Sequence, residues 1–368
     1  MTSVEIMSAV PSYRFSFVSI TLMLCALTGV LYLCAFTGCQ RQPPPEIQEY
    51  LIEGPTMGTT YMVKIAESSR EMSPLRLEKI ESSIHSELEH LNALMSTYLE
   101  DSELSRFNRF HQIDVFFPLS EETLEVFRLS QEISEMSGGA FDITISPLVN
   151  AWGFGPGGKP SRLPDEPLLE NIRNKVGYHL LELGGNGARK HHPELTVELS
   201  AIAPGYAVDR IAHALEQLEC RHFMVELGGE IRAKGHNAQG NFWRIGIEKP
   251  ITTGREVQRV VRLNNQSLST SGDYRNYIEQ DGVRLSHTID PATGRPISHN
   301  LASVTVVADN CAWADGVATA LMVMGPEKGM ALAEQQGIAA YFIIRKSPEG
   351  FVEKFSPAFL ALEKNQLD

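Results

Sequence analysis

The 368-residue chain is 43% hydrophobic and 21% charged, with a formal net charge of -13 at neutral pH. That length and apolar content can bury one large core or two ordinary ones, so the class is globular. The acidic balance, with no Lys/Arg-rich run to offset it, argues against nucleic acid as a partner, because phosphate neutralisation supplies most non-specific affinity for it.

At the N-terminus, Phe15 to Phe36 is uncharged and apolar, follows Arg14, and is closed by Thr37 and Gly38 directly before Cys39. This is the pattern of an export signal. Small residues before a cysteine resemble the box at which bacterial lipoproteins are cleaved and acylated, with Phe36 standing where Leu, Val or Ile is usual. Two forms follow: cleavage with lipidation at Cys39, or an uncut transmembrane anchor, since the run is long enough to span a bilayer. The expected layout is a signal peptide or anchor over 1–38, a lipidated cysteine and linker over 39–49, and one folded domain over 50–362. The linker contains Pro43, Pro44 and Pro45, which favour an extended spacer. Cys25 and Cys34 lie in the apolar run, which leaves Cys220 and Cys311 to pair or to remain buried thiols.

From about Ile47 the chain mixes helix-like and strand-like stretches without repeats, which implies one α+β unit. Ile80, Ile84, Leu88, Leu91 and Met95 recur at helical spacing and predict an amphipathic helix from Pro74 to about Ser96. Val126, Leu129, Ile133 and Met136 predict a second, opened by Ser120 and stopped by Gly138. A third should open at Pro204 and run toward Cys220, and a fourth should begin near Asp309. Strand-like runs cover Phe223 to Leu227, Phe242 to Ile247, Val257 to Leu263, Ser303 to Val307 and Tyr341 to Ile344.

Four segments have chemical content. Asp315 and Thr319, four apart on one helix face, offer a carboxylate and a hydroxyl to the same point. Such hard oxygens suit Mg²⁺ when a phosphorylated substrate completes the shell; without one, the pair reads as a solvated Asp and a Thr bonded to its own helix. The run Val197 to Asp209 carries a strand-like end through small residues into a helix, where backbone N–H groups and the helix dipole could meet an anion. His287 stands beside the turn-forming Asp290-Pro291-Ala292-Thr293-Gly294 and could carry a proton. Gly138-Gly139-Ala140-Phe141-Asp142 offers open backbone, an aromatic and a carboxylate, suited to a planar ligand or to a plain helix end. Gly153 to Gly158 reads as a loop and not a dinucleotide fingerprint, because Pro156 interrupts it and no strand feeds it. No Walker sequence, HExxH, Cys-x-x-Cys or Gly-x-Ser-x-Gly occurs.

In register, Met57-Gly58-Thr59-Thr60, Met95-Ser96-Thr97-Tyr98, Gly138 to Thr144, Ala203 to Asp209, Glu226-Leu227-Gly228-Gly229, Ser269 to Tyr274, His287 to Pro291 and Ala314 to Ala320 resemble the ApbE family, the FAD:protein FMN transferases. The resemblance spans nearly the whole mature chain. It implies a single T-fold-like α+β domain with FAD in a cleft and Mg²⁺ on its pyrophosphate. By carry-over, Met57, Tyr98, Ala140, Phe141, Asp142, Glu198, Pro204 and Ile289 line the FAD site, and the Ala201 carbonyl, Asp315 and Thr319 hold the metal. Pro204 stands where the family usually has Lys, sometimes Glu, and Glu198 where Asp is commoner.

The implied reaction transfers FMN from FAD to a Ser or Thr hydroxyl of an acceptor flavoprotein, such as subunits of membrane electron-transport complexes, and releases AMP. His287 is the candidate base. The protein would be lipid-anchored at the cell membrane on its periplasmic side. The competing readings are a Mg²⁺-dependent FAD pyrophosphatase yielding FMN and AMP, and a non-catalytic FAD-binding lipoprotein.

Overall fold

The computed structural model describes residues 46–158, 160, 162–251, 254–274, 277–280, 283–346 and 350–365. The apolar run and Cys39 lie outside the described residues. Among the described residues, no helix is long and apolar enough to cross a membrane.

An eight-stranded sheet forms the centre. Its strands are β1 (Ile47–Thr56), β2 (Thr59–Ser68), β3 (Phe223–Leu227), β4 (Glu230–Lys234), β5 (Gln266–Gly272), β6 (Leu301–Ala308), β7 (Ala339–Arg345) and β8 (Phe351–Phe355). Their order in space is their order in the chain, and every neighbouring pair is antiparallel. Successive side chains on a strand point to opposite faces, so the sheet carries two cores. On β7, Ala340, Phe342 and Ile344 belong to one apolar cluster and Tyr341 and Ile343 to another.

The helices are α1 (Pro74–Met95), α2 (Glu103–Arg109), α3 (Glu121–Met136), α4 (Ser146–Trp152), α5 (Glu166–Arg173), α6 (Ala203–Gln217), α7 (Cys311–Gln336) and α8 (Pro357–Asn365). The first face is covered by α1, α3, α6 and α7, and the stripe Ile80, Ile84, Leu88, Leu91 and Met95 sits in that core as its spacing predicts. The second is covered by the ribbon Trp243–Glu248 with Val257–Leu263 and by Phe359 of α8. A third cluster of Leu148, Trp152, Leu169, Ile172 and Ile289 joins α4 and α5 to the segment after residue 285.

Helix starts follow their capping chemistry. Ser73, Ser120 and Asn310 accept the backbone N–H three residues on, each satisfying a donor that the helix leaves free. Helix α3 stops because Gly138 and Gly139 take positive φ. Cys220 and Cys311 are both free and buried. Residues Ile47–Asp368 form one compact unit.

Candidate active site

The α6 N-terminus and the first two turns of α7 meet closely enough that a Cβ on Gly205 would lie 2.6 Å from the Cys311 carbonyl oxygen and 2.8 Å from the Asp315 Cβ. Glycine is required there by proximity. Asp209 locks the junction: one carboxylate oxygen accepts the Cys311 and Ala312 N–H groups at 2.8 and 2.9 Å, and the other accepts from Arg232 at 2.6 Å. The contact delivers the Gly205 N–H to Asp315 Oδ2 at 3.1 Å.

Of the two readings of the turn before α6, anion cradle or plain structural turn, the backbone bonding fits the second. The N–H groups of Ile202, Ala203 and Tyr206 donate to Leu199, Leu199 and Ile202 carbonyls, that of Gly205 goes to Asp315, and Pro204 has none. The first turn therefore has no such donor to spare for a phosphate. The positive end of the α6 dipole acts on the Asp315 carboxylate instead.

Asp315 is 5% exposed, and burial raises its carboxyl to about 7. Strand alternation brings it company: Ile231 and Leu268 face the second core, so Glu230 and Ser269 face α7. Ser269 Oγ donates to Glu230 at 3.4 Å and is also within hydrogen-bonding reach of Asp315. Burial, then the nearby Asp315 charge, holds Glu230 well above the usual carboxylate range. Thr319, one turn along α7, pairs its hydroxyl with Ser271 Oγ at 3.1 Å. Glu230, Ser269 and Ser271 had no assigned role in the sequence. The signal for the two serines was a serine at every second position of β5, Ser267, Ser269 and Ser271, marking a stripe of hydroxyls on one face; Glu230 had none.

Among the described residues, burial and hydrogen bonds dominate at Asp315, and burial and the Asp315 charge dominate at Glu230. Two buried carboxylates so placed either hold a proton or need a cation when both are ionised. Asp315, Thr319 and the Ala201 carbonyl are hard oxygen donors, and this set fits Mg²⁺. No grouping of three or more His, Cys, Asp or Glu side chains able to hold a metal occurs among the described residues. The remaining ligands must come from water or a phosphorylated substrate.

Of the other candidates Phe141 approaches α7 directly, and the rest are placed by their own segments. Phe141 is 2% exposed and packs in the first core, where a Cβ on Gly316 would meet its ring at 3.5 Å. Its ring is thus core, and a ligand there would meet the backbone of Ala140 to Asp142. Asp142 accepts the Thr144 N–H and hydroxyl at 2.8 and 2.7 Å and the Tyr178 N–H at 2.7 Å, so its carboxylate first serves to cap the turn Ile143–Ile145. The Glu198 N–H donates to the Ile143 carbonyl at 2.8 Å, which lays the two segments side by side. Burial raises the Glu198 carboxyl, and Ser200 Oγ donates to it at 2.5 Å.

Met57 takes a left-handed φ of 48° at the tip of the β1–β2 hairpin, an unusual conformation for a side chain of its size. The neighbouring β3–β4 tip lies against it, with the Gly228 N–H on the Thr60 carbonyl at 3.2 Å. Met57, Glu230, Ser269 and Ser271 thus share one end of the sheet. Tyr98 is 73% exposed on the loop after α1, where Ser96 Oγ accepts its N–H at 3.1 Å. Ile289 is buried in the third cluster, and His287 stands beside Phe154 with ring centroids 6.4 Å apart.

A sequence model of the ApbE family matches residues 57–342. The FAD:protein FMN transferase of Vibrio cholerae is 45% identical over 336 residues, which cover 91% of this chain and 97% of that protein. That of Haemophilus influenzae is 41% identical, covering 94% of this chain and 99% of its own. The solved flavin transferase ApbE from Vibrio cholerae superposes with a TM-score of 0.79 at 43% identity, covering 86% of this chain and 99% of that one. The apo flavinyl transferase ApbE of Pseudomonas stutzeri gives 0.79 at 39% identity, with 87% and 98% covered. With match, identity and fold in agreement over most of its length, the chain belongs to the ApbE family and is an enzyme of its flavin-transferase class.

Proposed function

We propose that this enzyme transfers FMN from FAD to a Ser or Thr hydroxyl of an acceptor flavoprotein and releases AMP. The observation that carries the reading is the buried Asp315 and Glu230 pair, bridged by Ser269 beside Thr319 at the α6–α7 junction. Mg²⁺, when bound, supplies charge neutralisation to the pyrophosphate. The chain's own part is to hold the carboxylates at the α6–α7 junction through Gly205 and Asp209 and to receive the hydroxyl proton on His287. The acceptor oxygen bonds to the FMN-side phosphorus, the anhydride bond to AMP breaks, and AMP leaves with the electron pair. Met57, Tyr98, the backbone of Ala140 to Asp142, Glu198, Pro204 and Ile289 would line the FAD cleft.

The test is incubation of Ile47–Asp368 with FAD, Mg²⁺ and an acceptor fragment, read by the intact mass of the acceptor. An FMN-sized gain with AMP release, abolished by chelation, is expected. FMN and AMP appearing beside an unmodified acceptor would replace the transferase with a pyrophosphatase, and unconsumed FAD would leave a binding protein. The N-terminal segment would tether the enzyme at the periplasmic face of the membrane; labelled palmitate entering the parent protein but not Cys39→Ala would establish the lipid form.

A further inference from the structure

The loop Gly153 to Gly158 has no part in the reaction as read so far, yet its first residues touch the loop that carries His287. Helix α4 ends at Gly153, whose φ of 83° suits glycine, and the Phe154 N–H donates to the Val149 carbonyl at 3.0 Å. This helix end fixes two aromatic side chains. The Trp152 indole N–H donates to the Gly294 carbonyl at 2.8 Å from a buried position. The Phe154 ring meets the His287 ring edge to face, with an interplanar angle of 69°. Between these points, Ile289 packs into the cluster formed by Leu148, Trp152, Leu169 and Ile172.

The histidine loop is rigid within itself as well. Asp290 accepts the Ala292 N–H at 2.9 Å and the Thr293 hydroxyl at 3.0 Å, and its own carbonyl accepts the Gly294 N–H at 2.8 Å. A stiff loop is placed by what its ends touch. Two such contacts are Phe154 at His287 and Trp152 at Gly294, from the residue after the α4 cap and from the last residue of α4.

We propose that Trp152-Gly153-Phe154 is a positioning clamp for His287, with Phe154 setting the approach of the imidazole to the acceptor hydroxyl. The proposal rests on the reading of His287 as proton acceptor. Phe154 touches neither flavin nor metal in this role; it acts through the histidine. A displaced base loses rate steeply with distance, while Ile289 is the one flavin-lining candidate in this cluster and the others belong to other segments. The effect should therefore fall on kcat and leave the KM for FAD in place.

Steady-state transfer by the parent, Phe154→Ala, Phe154→Tyr and His287→Ala decides it. Phe154→Ala should lose kcat by about tenfold or more with the KM for FAD within about twofold, and Phe154→Tyr, which keeps the ring, should recover most of the rate. An unchanged kcat in Phe154→Ala beside an inactive His287→Ala would overturn the clamp. So would equal losses in the Ala and Tyr variants, or a loss confined to the KM. Full activity of His287→Ala would overturn the base assignment itself, whatever Phe154→Ala does.

Discussion

Gly205 is the residue on which the site's geometry turns, because a methyl group there meets the Cys311 carbonyl oxygen and the α7 backbone before it meets anything that can move aside. Gly205→Ala should cost about 2 kcal/mol or more by urea unfolding and reduce activity further, since parting the helices also withdraws the N–H that Asp315 accepts. Asp315 offers the complementary test. Its carboxyl sits at about 7 against an ordinary 3.8, so between those values the folded chain holds a proton that the unfolded chain has lost. The stability this adds is complete below about pH 4 and gone above about pH 7. Asp315→Asn should therefore fold with a Tm at or above the parent's at pH 8 without metal, yet have no transferase activity. Activity retained at the parent's level with Mg²⁺ would remove Asp315 from the site.

At the scale of elements, the four long helices were legible, the shorter α2, α4, α5 and α8 were not, and the sheet was legible only in part. The stripe of α1 and the start of α3 at Ser120 combine a 3.6-residue period with local chemistry, and both signals lie in contiguous sequence. The periodicity shows no strand before Phe223, yet β1 and β2 open the sheet. Strand β1 is an edge strand with most of its residues exposed, so little apolar alternation marks it. The motif before α6 was legible as a motif but not in its role: only the folded chain shows that its N–H groups are spent on neighbours. Lys190 on the strand Gly187–Lys190 was equally hidden. It is fully buried, donates to the Asn108 carbonyl at 3.1 Å, and lies 4.7 Å from the centre of the Phe107 ring. Burial lowers its ammonium to about 8 from 10.5, so the folded chain sheds this proton first and gains stability as pH rises from about 8 to 10.5. Lys190→Met should lack that gain, seen as a parent-minus-variant difference in unfolding free energy that shifts toward the parent over this range. A difference flat with pH would contradict the assignment.

For the whole molecule, the Asp315 and Glu230 pair makes metal response a function of pH. A divalent cation takes carboxylates in their ionised form, so binding must release whatever proton the buried pair holds. The rise in Tm on adding Mg²⁺ with FAD should be larger at pH 8 than at pH 6 in scanning calorimetry and should vanish in Asp315→Asn; equal shifts at both pH values would mean the pair is not what the cation meets. Family motifs made the α7 half of this site legible and included Ser269 without a role, whereas Glu230 enters it only through the β4–β5 pairing, which joins residues far apart in the chain.

The chain-order sheet also sets a kinetic problem for the molecule. Strands β1 and β2 are joined by two residues, whereas β2 must wait for its other partner until everything from Ser68 to Phe223, α1 through α6 included, has been threaded between them. Closing a loop of that length costs roughly 4 kcal/mol more chain entropy than closing a two-residue hairpin. The β2–β3 seam is therefore the step on which assembly should stall, and until it closes β2 stands as a bare edge open to a second copy of itself. A protein exported before it folds would meet that interval outside the cytoplasm, where aggregation of the half-formed sheet, and not loss of the finished one, would limit its yield.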